Sequence, residues 1–196
     1  MLCESKKRIG FLGACFFVGV LIASTIMPMG LLSDMFGRKW IFVGTLGILI
    51  VACLGFMFAH SLEELYVYMF LLGITFPGRM IVGINFAQEF QKESWIPYVQ
   101  PLVQVAQGLT LVLTAFYFQV ISKHAYYLEM AHVIFLAYMM FQTLWSFPES
   151  PRFNYSKNKF LEAKENLQQV ANINGVRHFN PGNFKFDNEV QHELHA

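Results

Sequence analysis

Charge is scarce in this chain. Only 14% of its 196 residues are Asp, Glu, Lys or Arg, where a soluble domain carries about 25%. That scarcity excludes a disordered chain, which is rich in charge and poor in apolar residues, and argues against an ordinary cytosolic enzyme. A basic excess is missing too. The 14 Lys and Arg face 13 Asp and Glu, a net charge of +1, so no nucleic-acid partner is expected. Cysteine is confined to Cys3, Cys15 and Cys53, far apart in sequence. These form neither a disulfide framework nor a metal-ligand spacing, and no metal is expected. No nucleotide loop, Ser-His-acid pattern or quinone or haem signature occurs, so neither a cofactor nor an enzyme is expected. What is abundant is apolar: 55% hydrophobic and 16% aromatic residues. This composition indicates a membrane protein with the lipid bilayer as its main partner. At about 20 residues per span, the chain has room for five or six helices.

The spacing of charges locates them. No charged residue falls between Arg8 and Asp34, Lys39 and Glu63, Glu93 and Lys123, or Glu129 and Glu149. Each gap can cross a hydrocarbon core of about 30 Å as a helix. The stretch from Leu65 to Gln88 carries one charge, Arg79. The expected fold is therefore all-α, with five spans near 9–31, 40–59, 64–88, 95–121 and 127–147. A soluble five-helix core is the rival, but too little polar surface remains to cover it. Lys6-Lys7-Arg8 resembles the start of a secretory signal, yet the apolar run that follows is too long for one. The polar leader, residues 1–8 with Glu4 among them, has no mitochondrial presequence pattern either.

With five spans the two ends lie on opposite faces. Placing the 32–39 loop inside puts Arg38, Lys39, Lys92, Arg152, Lys157, Lys159 and Lys164 inside, against Lys6, Lys7, Arg8 and Lys123 outside. The positive-inside rule favours that orientation. Trp40, Trp95 and Trp145 then sit at inner span ends, and Tyr126 and Tyr127 at an outer one, the interfacial positions these rings favour.

Gln100, Gln104, Gln107 and Thr114 form one stripe on the fourth span, within about 80° at 100° per residue. Lipid offers such a stripe no partners. It lines either a solute pathway or an interhelical seam of hydrogen bonds. Pro97 and Pro101 open or kink the start of that span. In the third span, Asn85, Gln88 and Glu89 share a face, and Arg79 lies off it unless Pro77 and Gly78 distort the helix. An arginine at membrane depth is a functional candidate; a buried pair or a carbonyl-capping role is the alternative. Span 40–59, broken only by Thr45, Cys53 and glycines, reads as lipid-facing. Gly19, Ala23, Gly73, Gly78, Gly83 and Gly108 mark close helix approaches.

The connecting segments carry the specific motifs. Gly30-Leu31-Leu32-Ser33-Asp34-Met35-Phe36-Gly37-Arg38-Lys39 reads as a tight turn: Gly30 for close packing, Gly37 for a positive-φ bend, Asp34 to cap the next helix, and Arg38 and Lys39 to pair with acids. Pro148-Glu149-Ser150-Pro151-Arg152 ends the last span. Residues 156–175 then read as an amphipathic surface helix, capped by Ser156 and stopped by Gly175, with Phe160, Leu167, Val170 and Ala171 on one side. The organisation is thus a leader (1–8), a five-span bundle (9–147), a post-span motif with surface helix (148–175) and a polar tail (176–196).

Gly-x-Leu-x-Asp-x-x-Gly-Arg-Lys between two spans resembles the second-to-third-helix loop of major facilitator superfamily transporters. Pro-Glu-Ser-Pro-Arg resembles the sequence after the sixth helix in the sugar-porter and organic-ion-transporter branches. Phe160-Leu161-Glu162-Ala163-Lys164 with Ala171-Asn172-Ile173-Asn174-Gly175 is similar to the surface helix of the organic-ion branch, and Leu71-Leu72-Gly73 with Glu89 to the fourth helix. The resemblance covers residues 10–176. It implies that the five spans are helices two to six of an N-terminal bundle. It also implies that Asp34, Arg38, Glu89, Glu149 and Arg152, held by the Gly30–Lys39 motif, form an inner-face ion-pair network. Two arginines usual in the family are Met69 and Ile96 here, leaving Lys92 or Arg38 to complete the network.

No segment matches the family's first helix or its second half, whereas alternating access needs two opposed repeats. The expectation drawn from this is an accessory or structural subunit of a larger membrane complex, with other membrane chains covering the incomplete bundle. An organellar membrane such as the mitochondrial inner membrane is a location compatible with that expectation. The alternative is transport of a small organic ion or sugar as a split or oligomeric transporter. His192-Glu193-Leu194-His195 departs from His-Glu-x-x-His by one position and reads as part of a solvated tail. His132 reads as an interface histidine.

Overall fold

The computed structural model describes residues 5–26, 28–176 and 186. The elements are α1 (Lys6–Thr25), α2 (Met29–Phe36), α3 (Arg38–Phe58), α4 (Leu62–Pro77), α5 (Gly83–Glu89), α6 (Ile96–Phe116), α7 (Ala125–Ser146), α8 (Pro151–Ser156) and α9 (Phe160–Ile173). A π-helical segment, Gly78–Val82, joins α4 to α5, and a second, Tyr117–Ile121, extends α6. Five stretches are long and apolar enough to cross a membrane: Lys6–Thr25, Arg38–Phe58, Leu62–Glu89, Ile96–Ile121 and Ala125–Ser146. The all-α, five-span architecture expected from the charge gaps therefore stands. Local chemistry sets several boundaries. Ser61 caps α4 by accepting from Glu64 N at 3.2 Å, and the Glu64 carboxylate reaches back to Ser61 Oγ at 2.9 Å and His60 N at 3.1 Å.

The first span ends at Thr25 rather than near residue 31, and the expected tight turn is an eight-residue helix, α2. Pro28 is the cause. It lacks an N–H and its ring would strike the carbonyl four residues back, so one helix stops and a new one starts. Gly37, at φ +103°, ends α2 and begins α3, as expected. Gly30 permits no close approach, since a side chain there would meet nothing within 4 Å.

The expectation that span 40–59 faces lipid is overturned. In α3, Thr45, Leu46, Leu49, Ala52 and Cys53 are buried, and Leu46, Leu49, Cys53 and Leu136 form a core with Phe42, Ile50, Leu72, Val133 and Met140 around it. Lipid and protein interior are equally apolar, so hydropathy cannot distinguish a central helix from a peripheral one. The small and weakly polar residues Thr45, Ala52 and Cys53 mark the protein side.

Helix α1 lies against α4 at Gly19 and Gly73, where a Cβ would strike the Phe70 and Phe16 carbonyl oxygens respectively. Gly78 abuts Thr45 and Gly83 abuts Phe42, while Gly108 faces open space. Ala23, Met29 and Val82 make a second core where α1, α2 and the π segment meet. Helix α6 has no buried residue among those described.

The surface helix is shorter than expected. Ser156 closes α8, its Oγ donating to Phe153 O at 2.8 Å, and α9 starts only at Phe160. Asn158, at φ +59°, turns the chain between the two, and Gly175, at φ +73°, follows α9 as expected. Asn166 Nδ2 donates to Glu149 O at 2.9 Å and ties α9 to the post-span motif. The turn expected at Asn180–Asn183 and the tail histidines His192 and His195 lie outside the described residues.

Candidate functional site

Two polar regions stand out, one at the ends of the spans and one within them. The first is organised by Gly37-Arg38-Lys39. Glu149 Oε1 accepts from the backbone N–H of Arg38 at 3.1 Å, Lys39 at 3.0 Å and Ser150 at 3.0 Å. Two of these amides begin α3, so the carboxylate satisfies donors that have no partner within the helix and meets the positive end of its dipole. A Cβ on Gly37 would lie 2.5 Å from Glu149 Oε2, a second reason besides φ for glycine at that position. Arg38 Nη1 forms an ion pair with Glu89 Oε1 at the end of α5, where the Glu89 side chain is 4% exposed. Lys39 Nζ donates to Leu144 O at 3.0 Å and Phe147 O at 2.7 Å, capping the last carbonyls of α7. Three consecutive residues thus bind α3 to α5, to α7 and to the post-span motif.

The expected network is therefore partly assembled. Arg38, not Lys92, serves Glu89. Asp34 is not the cap of α3; it is exposed and, among the described residues, reaches only Arg38 Nη2, at 3.4 Å. Glu149 has taken the capping role because its carboxylate reaches the first amides of α3, whereas Asp34 sits one turn back on α2. Arg152 is exposed and makes no ion pair among the described residues; it lines a shallow apolar cleft with Pro151, Tyr155, Leu167 and Phe186. Trp40, Trp95 and Trp145 are 61%, 58% and 78% exposed at the ends of α3, α6 and α7, as an interfacial belt requires.

The second region centres on Arg79. Pro77 cannot donate a hydrogen bond, and the chain responds with an extra residue in the next turn. Gly83 N–H donates to Gly78 O, five residues back, the defining bond of a π segment. Arg79 is half-buried there, and its Nε is buried without a hydrogen-bond partner among the described residues. No bond among the described residues joins it to Asn85, Gln88 or Glu89: Asn85 is exposed and Glu89 pairs with Arg38. Its neighbour Met80 accepts from Gln107 Nε2 of α6 at 3.1 Å. The polar stripe of α6 is thus turned toward the π segment at Gln107. Thr114 bonds within its own helix, to Thr110 O at 2.8 Å. Gln100 and Gln104 are exposed.

One cluster escaped sequence reasoning. Cys53 of α3 meets Glu129 and His132 of α7, with Sγ, a carboxylate oxygen and a ring nitrogen all within 4.8 Å of one another. His132 Nδ1 lies 3.6 Å from Glu129 Oε1. The only advance signal was the i, i+3 spacing of Glu129 and His132 within a span, which places both on one helix face; the partner helix was not readable.

Residues 3–180 match the family model of the Major Facilitator Superfamily. The chain is 25% identical over 175 residues to Organic cation transporter 1 of Caenorhabditis elegans, covering 89% of this chain and 29% of that protein. It is 27% identical over 204 residues to Organic cation/carnitine transporter 2 of Mus musculus, covering 100% of this chain and 35% of that protein. It is also 27% identical over 183 residues to Organic anion transporter 3 of Rattus norvegicus, covering 90% of this chain and 32% of that protein. The chain spans about a third of the length of these relatives. The five spans, the Gly30–Lys39 motif engaged through Arg38 and Glu89, and the match over nearly the whole sequence lead to one conclusion: this chain belongs to the Major Facilitator Superfamily, and organic-ion transporters are among its relatives.

Proposed function

We propose that the chain forms part of one half of a transporter for a small organic ion, with Arg79 and the polar stripe of α6 bordering the solute path. The remaining helices of the pathway come from polypeptide beyond these residues, from a partner chain or from a second copy. The observation that carries the reading is Arg79: a cation at membrane depth, on a π segment, with a buried Nε that no described residue satisfies. Ionisable groups inside a membrane face cavities or partners, and π segments are frequent at functional sites. A guanidinium with donors to spare favours a solute bearing a carboxylate, so an organic anion or a zwitterion is proposed over a simple cation. Arg38, Glu89 and Glu149 act as the latch that stabilises one conformation of the bundle, with Asp34 at its exposed edge. The accessory-subunit reading rests on the unmatched helices, on Met69 and Ile96 where the family usually has arginines, and on the uncovered polar stripe; relatives named as organic cation and organic anion transporters favour transport instead. Neither the fold nor those relatives point to a mitochondrial location.

The test is uptake of a radiolabelled zwitterionic carboxylate into cells expressing the chain with its native partners. Arg79→Gln removes the charge and is expected to reduce uptake about tenfold or more, since truncating a charged hydrogen-bond partner costs about 1.5–3 kcal/mol. Arg79→Lys retains part of the activity. Unchanged uptake in Arg79→Gln contradicts the reading.

A further inference from the structure

We infer that Cys53, Glu129 and His132 form a zinc-binding site that clamps α3 to α7. A thiol, an imidazole and a carboxylate are the donor types of protein zinc sites, and thiolate with imidazole selects zinc over the hard cations magnesium and calcium. In a tetrahedral site with bonds of about 2.0–2.3 Å the donor atoms lie roughly 3.3–3.8 Å apart. The Glu129 to His132 separation of 3.6 Å already falls in that range. The whole set lies within 4.8 Å, about an ångström beyond the upper end of that range, a gap of the size side-chain rotations cover.

The three residues also share a depth. At 1.5 Å per residue, Cys53 lies roughly 7.5 Å inside the Phe58 end of α3, and Glu129 roughly 6 Å inside the Ala125 end of α7. Glu129 is consequently an acid within a span, a group that needs a cation or a donor at that depth. The Cys53 thiol is its neutral hydrogen-bond partner, Arg79 of the π segment faces Cys53, and the nearby histidine supplies a full charge only when protonated. A cavity of about 200 Å3, lined by Phe56, Met57, Ala125, Tyr126 and Glu129, opens beside the cluster. It provides an entry route and room for a water as fourth ligand. Mechanically the position matters, because α3 is the main neighbour of α7 in the bundle. Metal bound there cross-links the central helix to the last span within a single half of the fold.

The full chain, purified in detergent and kept reduced with a phosphine, is titrated with Co2+ and then with Zn2+. The expected result is a thiolate-to-cobalt charge-transfer band with four-coordinate ligand-field bands, abolished by added Zn2+ and lost in Cys53→Ser. Glu129→Gln and His132→Asn each weaken Zn2+ binding by about tenfold or more, since even outer-shell partners of metal sites are worth that much. They carry the test if Cys53→Ser fails to fold. Zn2+ raises the unfolding temperature of the unmodified chain but not of these variants. Cys15→Ser and the pair His192→Ala with His195→Ala leave all of this unchanged. A chain that gives no charge-transfer band overturns the site. So does binding that survives all three site substitutions, or that vanishes with the tail histidines.

Discussion

Glu149 shows how much one side chain carries. Its Oε1 collects three backbone N–H groups at 3.0–3.1 Å from two separate segments, while Arg38 and Lys39, whose amides it holds, send their side chains to α5 and α7. Truncation leaves those donors without a partner, and an unmet buried donor costs about 1–3 kcal/mol. Glu149→Ala is therefore expected to destabilise the bundle by roughly 2–4 kcal/mol. Glu149→Gln keeps an acceptor oxygen but forfeits the interaction with the helix dipole, worth about 0.3–1 kcal/mol or somewhat more when part-buried. Thermal unfolding in detergent orders the chains as unmodified, then Gln, then Ala; equal losses for the two variants contradict the capping role. The exposed Asp34–Arg38 contact, at 3.4 Å with Asp34 60% exposed, belongs to the class of surface pairs worth about 0–1 kcal/mol, so Asp34→Asn has little effect on the same measurement.

Among the elements, the α1–α4 contact is the most exacting. Gly19 and Gly73 bring backbone against backbone, with no flexible side chain that could yield. Gly73→Val drives the helices apart and is expected to cost about 1–3 kcal/mol as overpacking, whereas Gly108→Ala, in open space, is neutral or slightly stabilising. A comparison of folded yield and unfolding temperature checks both; equal behaviour contradicts the close approach. The same elements show what could be read in advance. The span boundaries were legible because charge gaps report the cost of charge in hydrocarbon, which depends only on local sequence. The position of α3 at the centre was not, because hydropathy is the same whether a neighbour is lipid or leucine. The Pro28 break and the π segment after Pro77 had a visible cause but no readable geometry. Arg38 and Glu89 were legible through the loop motif. Cys53 with Glu129 and His132 was not, since only the packing of α3 on α7 brings them together.

For the whole molecule, the exposure of α6 is the feature that needs an explanation. No described residue of that helix is buried, yet Gln107 is turned toward Met80 beside Arg79. A water-filled solute path along the stripe accounts for both facts, and a dry helix interface is the alternative. Cysteine accessibility in native membranes separates them. With Cys3, Cys15 and Cys53 replaced, Gln104→Cys and Gln107→Cys are expected to react with a membrane-impermeant thiol reagent and to be protected by an excess of a carboxylate-bearing organic ion. Leu109→Cys, on the opposite side of the helix at about 180° from Gln100, is expected to stay unreactive. If Gln104→Cys and Gln107→Cys are as inert as Leu109→Cys, or react with no protection by solute, the stripe is not a solute path and the transport account fails.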